Sequence, residues 1–236
     1  SSVGVIPTRL GNQELKWETT KQINVGLDLT LFGDRLNIVT DFYDKVTSDL
    51  LMAQTMPYSS GYGEIWRNIG EVQNTGFEFT LNTKNISTKD FEWTSSFNIS
   101  FNKNKVNQLA DGRNSMTSVA TFDQNFNGMS NYIAKVGNPI GMMYGYIYEG
   151  TYKYDDFNKI GGSYLLKTCV PAFSGESNTQ PGYPKYRDIN GDGVINSDDR
   201  TIIGKGDPKH IGGFTNNFRY KDFDLSIFLQ WSYGND

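Results

Sequence analysis

The sequence predicts an all-β chain whose antiparallel strands form part of a transmembrane β-barrel. Three observations lead there. Apolar and polar residues alternate with period two in paired segments, as half-buried strands require. The turns inside each pair are short, whereas the connections between pairs are long, the asymmetry of outer-membrane barrels with short periplasmic turns and long extracellular loops. Aromatic residues reach 14%, with 15 Phe and 14 Tyr in 236 residues, and barrels place such side chains at both lipid interfaces.

The first hairpin begins with a strand over residues 22–32. Ile23, Val25, Leu27, Leu29 and Leu31 share one face; Asn24, Gly26, Asp28 and Thr30 share the other. After the turn Gly33-Asp34-Arg35, the residues Leu36, Ile38, Thr40 and Phe42 oppose Asn37, Val39, Asp41 and Tyr43. In the second hairpin Phe77, Phe79 and Leu81 alternate with Gly76, Glu78, Thr80 and Asn82. A turn over 85–90 leads to Phe91, Trp93, Phe97, Ile99 and Phe101, set against Glu92, Thr94, Ser96, Asn98, Ser100 and Asn102. The third hairpin covers 213–220, the turn Lys221-Asp222, and then Phe223, Leu225, Ile227, Leu229 and Trp231 with Asp224, Ser226, Phe228 and Gln230 between them.

Period two leaves each strand two choices of face. Val25, Leu27, Leu29, Phe79, Ile99, Leu225 and Ile227 are therefore expected against outer-membrane lipid, and Asp28, Asp41, Glu78, Asn98 and Gln230 in the lumen. Phe32, Phe91, Trp93, Tyr220 and Phe223, near the short turns, are expected to form the periplasmic aromatic girdle. The connections 45–73 and 104–212 become extracellular, the latter a single excursion within a chain that is barrel throughout 1–236. In it Met143-Tyr144-Gly145-Tyr146-Ile147-Tyr148 reads as one strand above the bilayer.

Composition narrows the function. Hydrophobic residues at 37%, charged residues at 20% and a mean hydropathy of -0.52 fit a barrel, in which only alternate residues are apolar. No run of about 18 apolar residues exists for a transmembrane helix. A net charge of -4 and a pI near 5.1 argue against nucleic acid as a partner. The abrupt ends, Ser1-Ser2-Val3-Gly4 without an initiator Met and Tyr233-Gly234-Asn235-Asp236 straight after a strand pattern, suggest an excerpt from a longer chain.

One motif carries chemistry. Residues 188–199 have the spacing of an EF-hand or dockerin-like calcium loop. Asp188, Asn190 and Asp192 occupy positions 1, 3 and 5, and Gly193 makes the turn at position 6. Val194 offers its carbonyl, Asn196 stands at position 9, and Asp199 fills position 12 where Glu is usual. Calcium wants six to eight hard oxygen donors, and with every position filled the ion would be structural. A helical turn is expected over 197–203. The other candidates are weak. Gly61-Tyr62-Gly63 lacks the strand-turn-helix setting of a phosphate loop. His210 is the only histidine, Asp155-Asp156 reads as a solvated acidic pair, and Cys169 has no disulfide partner. Nothing here builds an enzyme.

Several pieces together resemble the SusC/RagA transporters of Bacteroidetes. They are Trp17-Glu18-Thr19-Thr20 with Gly26-Leu27-Asp28, Asn68-Ile69-Gly70-Glu71-Val72 with Asn74-Thr75-Gly76-Phe77-Glu78, and Pro139-Ile140-Gly141. To these add the run from Tyr186 through the acidic loop to Asp199-Arg200-Thr201-Ile202-Ile203-Gly204, Phe223-Asp224-Leu225-Ser226, and Gly234-Asn235-Asp236. The resemblance implies a 22-stranded outer-membrane barrel with a plug, a SusD-like lipoprotein partner, and TonB-driven import of oligosaccharides or peptides. Residues 168–181 match no part of that pattern. The competing expectation is a soluble secreted β-sandwich that binds carbohydrate or adheres in a calcium-dependent way.

Overall fold

A computed structural model describes residues 9–68, 70–119, 130–173 and 179–236. Ser1-Ser2-Val3-Gly4, Ile69 of the Asn68 motif, and 174–178 of the unmatched stretch lie outside the described residues.

Two compact units emerge. The first comprises residues up to Met116 together with Ala134–Gly141 and Lys205–Asp236. It is built on a sheet of six strands: β1 (Thr19–Leu31), β2 (Leu36–Ser48), β3 (Gly70–Ser87), β4 (Phe91–Leu109), β5 (His210–Tyr220) and β6 (Phe223–Tyr233). Their order in the sheet is their order in the chain, and every neighbouring pair is antiparallel. This up-and-down meander is what short turns at one end and long connections at the other must give. In the first turn Phe32, Gly33 and Asp34 all adopt positive φ, so Phe32 belongs to the turn and not to the strand expected over 22–32. The turn after β3 is shorter than the sequence suggests: pairing continues to Ser87, and Thr88 closes onto Phe91 with backbone and hydroxyl bonds of 2.8–3.0 Å.

Register tests the faces directly, because residues opposite each other in a sheet share a face. Leu27, Thr40, Phe79, Ile99, Gly212 and Trp231 form one row; Leu29, Ile38, Leu81, Phe97, Phe214 and Leu229 form the next toward the turns. Asp28, Val39, Thr80, Asn98, Gly213 and Gln230 line up on the opposite side, and so do Gly26, Asp41, Glu78, Ser100, Ile211 and Ser232. The apolar face is not a soluble core: Val25 is 64% exposed, Leu27 53% and Leu225 57%. A sandwich would have buried these rows under a second sheet. In the wall of a barrel such rows would face lipid and need no cover. The few polar groups on this face satisfy one another near the turn end, where the Asn216 Oδ1 accepts from Trp93 Nε1 at 2.9 Å and from Ser95 Oγ at 2.7 Å.

The strands outrun their alternation. β2, β3 and β4 continue to Ser48, from Gly70, and to Leu109, so the two long connections begin later and end earlier than 45–73 and 104–212. Asn104, Val106 and Leu109 are buried there. Val106 exchanges backbone bonds with Asn138 and Gly137, and the Asn104 side chain donates to Asp207 while accepting from the Ile140 N–H. The shorter connection holds its own hairpin, Leu51–Thr55 against Glu64–Asn68, with Arg9–Leu10 parallel to the latter.

The second unit comprises Thr117–Ile133 and Met142–Gly204. Its aromatic run is not one strand. Met142–Gly145 pairs with Ser130–Lys135, whereas Tyr148–Thr151 pairs with Pro184–Tyr186. The chain changes sheets because Tyr146 turns its ring into Phe173 and Tyr186, with centroids 5.3 and 5.7 Å away. The turn expected over 197–203 is likewise shortened: a 3-10 turn covers Ser197–Asp199, then the β-branched Thr201-Ile202-Ile203 enters a strand, Thr201–Lys205.

Candidate functional site

The acidic loop is organised by its own side chains. Asp188 accepts the N–H groups of Gly191 and Gly193 at 2.7 and 2.8 Å. Asn190 accepts from Asp192 at 3.0 Å, and Asp192 from Val194 at 2.8 Å. Gly191 and Gly193, with φ of 76° and 85°, supply the left-handed backbone that lets the chain curl around these oxygens. Asn196 caps the 3-10 turn by accepting from Asp198 at 2.7 Å.

Asp199 is the loop's keystone. It is completely buried, one oxygen accepting from Ile189 and the other from Asn196, both at 2.8 Å. The Asn196 N–H holds its carboxyl below the ordinary range against the opposing effect of burial, with the Ile189 and Asn190 N–H groups assisting. Position 12 therefore ties the two ends of the loop together. Next to it, Arg200 lays its guanidinium 4.7 Å from the Tyr144 ring centroid and donates to the carbonyls of Tyr144 and Ser130, which fastens the loop to the sheet of this unit.

The donor set has the chemistry of a hard-cation site. Asp188, Asn190, Asp192, Asn196, Asp199 and the Val194 carbonyl are all oxygen donors within twelve residues, and a carboxylate oxygen that accepts one N–H keeps a further lone pair. Among the described residues no three His, Cys, Asp or Glu side chains gather as a metal cluster. The amides and the backbone carbonyl would thus have to complete any coordination shell.

The first unit contributes a polar sheet face. Ser96 donates to Asn82 at 2.7 Å, Asn82 to Asn37 at 3.4 Å and Asn37 to Thr30 at 3.2 Å, a ladder across four strands. Asp41 and Glu78 stand directly opposite one another beside Gly26. Like charges in register cost stability unless water reaches them, so this face suits a hydrated lumen.

Sequence reasoning missed how the scattered motifs join. Asn68 accepts from the Lys16 N–H at 2.8 Å and donates to the carbonyls of Lys16 and Asp49 at 2.8 and 2.7 Å. Glu18 accepts from the Leu51 N–H at 2.8 Å, and Glu71 from Ser48 and Asn107 at 2.9 Å each. These residues clasp the chain preceding β1 to the hairpin and to β2, β3 and β4. A polar Asn and two Glu at strand ends were the only signal, and such residues are usually solvated. His210, Asp155, Asp156 and the exposed Cys169 do not assemble into a nucleophile–base arrangement: the His210 Nδ1 accepts from Trp231 Nε1 at 3.2 Å, and Asp156 accepts from the Lys153 N–H at 2.8 Å.

Residues 3–232 match the family described as TonB dependent receptor-like, beta-barrel. TonB-dependent receptor P3 of Formosa agariphila is 40% identical over 233 residues, covering 99% of this chain and 22% of the relative. TonB-dependent receptor SusC of Bacteroides thetaiotaomicron is 31% identical over 227 residues, 95% of this chain and 20% of the relative. Among solved structures, the RagAB peptide importer in its closed-closed state superposes with a TM-score of 0.69 at 26% identity, covering 95% of this chain and 22% of that one. The chain thus spans about a fifth of the length of these relatives.

Proposed function

This chain belongs to the TonB-dependent receptor β-barrel family of the Gram-negative outer membrane, and from that premise we propose that its parent imports oligosaccharides or peptides as the SusC-like half of a SusC/SusD-type complex. The observation that carries the reading is the six-strand register, which puts mainly polar rows on one face and mainly apolar rows on the other. Such a sheet forms the wall of a water-filled conduit through lipid. Similarity to SusC and to a peptide importer favours transport over catalysis. Coupling to TonB would pass through parts of the parent beyond these residues. Deleting the parent gene is expected to abolish growth on one class of oligomer and to spare growth on its monomers. Unchanged growth and uptake across a panel of labelled glycans and peptides would overturn the proposal.

A SusD-like lipoprotein is the proposed partner, met by the long connections. Photocrosslinkers at exposed Tyr154 or Ile160 should capture it in native outer membranes, whereas crosslinkers at Asp34 or Lys221 in the short turns should not. Capture confined to the turns would reverse the assignment.

The same reading gives the 188–199 loop a structural calcium ion, held by Asp188, Asn190, Asp192, Asn196, Asp199 and the Val194 carbonyl. Its support is the EF-hand spacing of these oxygen donors along one curl, in which Gly191 and Gly193 take left-handed backbone. When bound, the ion would be held by amide and backbone oxygens as well as by carboxylates. Asp192→Ala is expected to remove calcium uptake measured calorimetrically on the metal-stripped parent, and to raise protease cleavage near Asn190 with barrel assembly unchanged. No heat of calcium binding in the unmodified parent would defeat it.

A further inference from the structure

We propose that Lys103 and Lys105 on β4 hold the headgroup phosphate of an anionic lipid in the outer leaflet, an inference that rests on the barrel reading above. Register sets the height of these lysines. On the apolar face the aromatic rows begin with Phe91, Tyr220 and Phe223 at the turn end and finish with Phe42, Phe77 and Phe101. His210 and Tyr233 extend the upper row, ring centroids 5.5 Å from Phe101 to His210 and 5.2 Å on to Tyr233. The ten residues from Phe91 to Phe101, at about 3.4 Å each and a tilt of about 40°, span about 26 Å, the thickness of the apolar band of such a barrel. Between the two aromatic rows this face carries no Asp, Glu, Lys or Arg.

The first cation beyond the upper row on β4 is Lys103, and the next residue on the same face is Lys105; both are exposed. Beside them on β3 stand Thr75 and Gln73, and two strands further along, on β1, lies Lys21. The acids at this height are already engaged. Asp44 accepts from Gln73 Nε2 at 2.8 Å, and Glu71 accepts from Ser48 and Asn107. Neither Lys103 nor Lys105 has an ion pair among the described residues. Two ammonium groups on long stems, neither in an ion pair and both just above an aromatic belt, sit where lipid phosphates lie. Lipid is already the neighbour of this face, so charge complementarity selects its anionic headgroups.

The test uses the whole parent in neutral detergent, titrated by native mass spectrometry with phosphatidic acid, with phosphatidylcholine and with inorganic phosphate. Replacing both residues, Lys103→Ala and Lys105→Ala, is expected to weaken phosphatidic acid binding about 25-fold, about fivefold per lysine, and to leave phosphatidylcholine binding unchanged. Lys45→Ala removes the same charge from the opposite face of β2 and should change neither. The proposal falls if the double variant binds phosphatidic acid like the unmodified protein, if Lys45→Ala weakens binding equally, or if inorganic phosphate binds as well as the lipid. A correctly assembled barrel with any of those results overturns this inference alone; failure of the barrel reading itself would show as indifference to a charge at the middle of the apolar face.

Discussion

Arginine in place of Leu29 should cost the assembled barrel about 2–4 kcal/mol and sharply reduce the heat-modifiable, folded form in the outer membrane. Leu29 lies in the row with Ile38, Leu81, Phe97, Phe214 and Leu229, midway between the upper aromatic row and the Trp93–Phe218 stack near the turns. A guanidinium there must leave water entirely or drag headgroups inward, and no acidic side chain on that face can pair with it. The matched comparison is Thr30→Arg, one residue away on the polar face, where the side chain enters hydrated space. That variant should assemble almost normally. Equal loss from both substitutions would mean that the two faces see the same environment, and the membrane orientation of the sheet would be wrong.

Gly76→Ala should destabilise the parent by about 1–3 kcal/mol, the usual cost of overpacking. Gly76 is buried on the polar face of β3, opposite Tyr43. A Cβ there would lie 2.1 Å from the Tyr43 ring carbon that bears the hydroxyl and 2.3 Å from the hydroxyl oxygen. The ring covers the bare glycine backbone, and its hydroxyl reaches Asn102 Oδ1 at 3.1 Å, spanning β2, β3 and β4. An added methyl must expel the ring, which forfeits the bond and its packing across three strands. The cause is local, so Tyr43→Ala should relieve it. In the double variant the penalty at position 76 should nearly vanish, a coupling that a double-mutant cycle measures. Undiminished loss in the Tyr43→Ala background would place the strain elsewhere.

How much of this was legible in the sequence differs between elements. Strand identity, pairing order and face were readable from β1 to β6 because alternation on a two-sided surface is a local property: each residue reports the medium on its own side. The curl of the acidic loop was readable because Asp188, Asn190 and Asp192 each accept an N–H two to five residues on, with Gly191 and Gly193 permitting the left-handed backbone. Gly76 stands within a motif legible in the sequence, but the reason for a glycine there lies in Tyr43, more than thirty residues away.

What tertiary structure alone decided were the ends and breaks. The polar run from Asn104 to Gln108 looks like loop, yet it is strand, because β3 and the backbone at Gly137 and Asn138 supply its hydrogen bonds whatever its side chains prefer. The run 143–148 looks like one strand, yet it divides where Tyr146 finds aromatic partners distant in sequence. Asp199 could be placed at the last position of a loop from spacing, but its complete burial required the fold around it. Alternation is written residue by residue into the chain. Backbone partners and burial are supplied by segments far away, and only the assembled sheet brings them into reach.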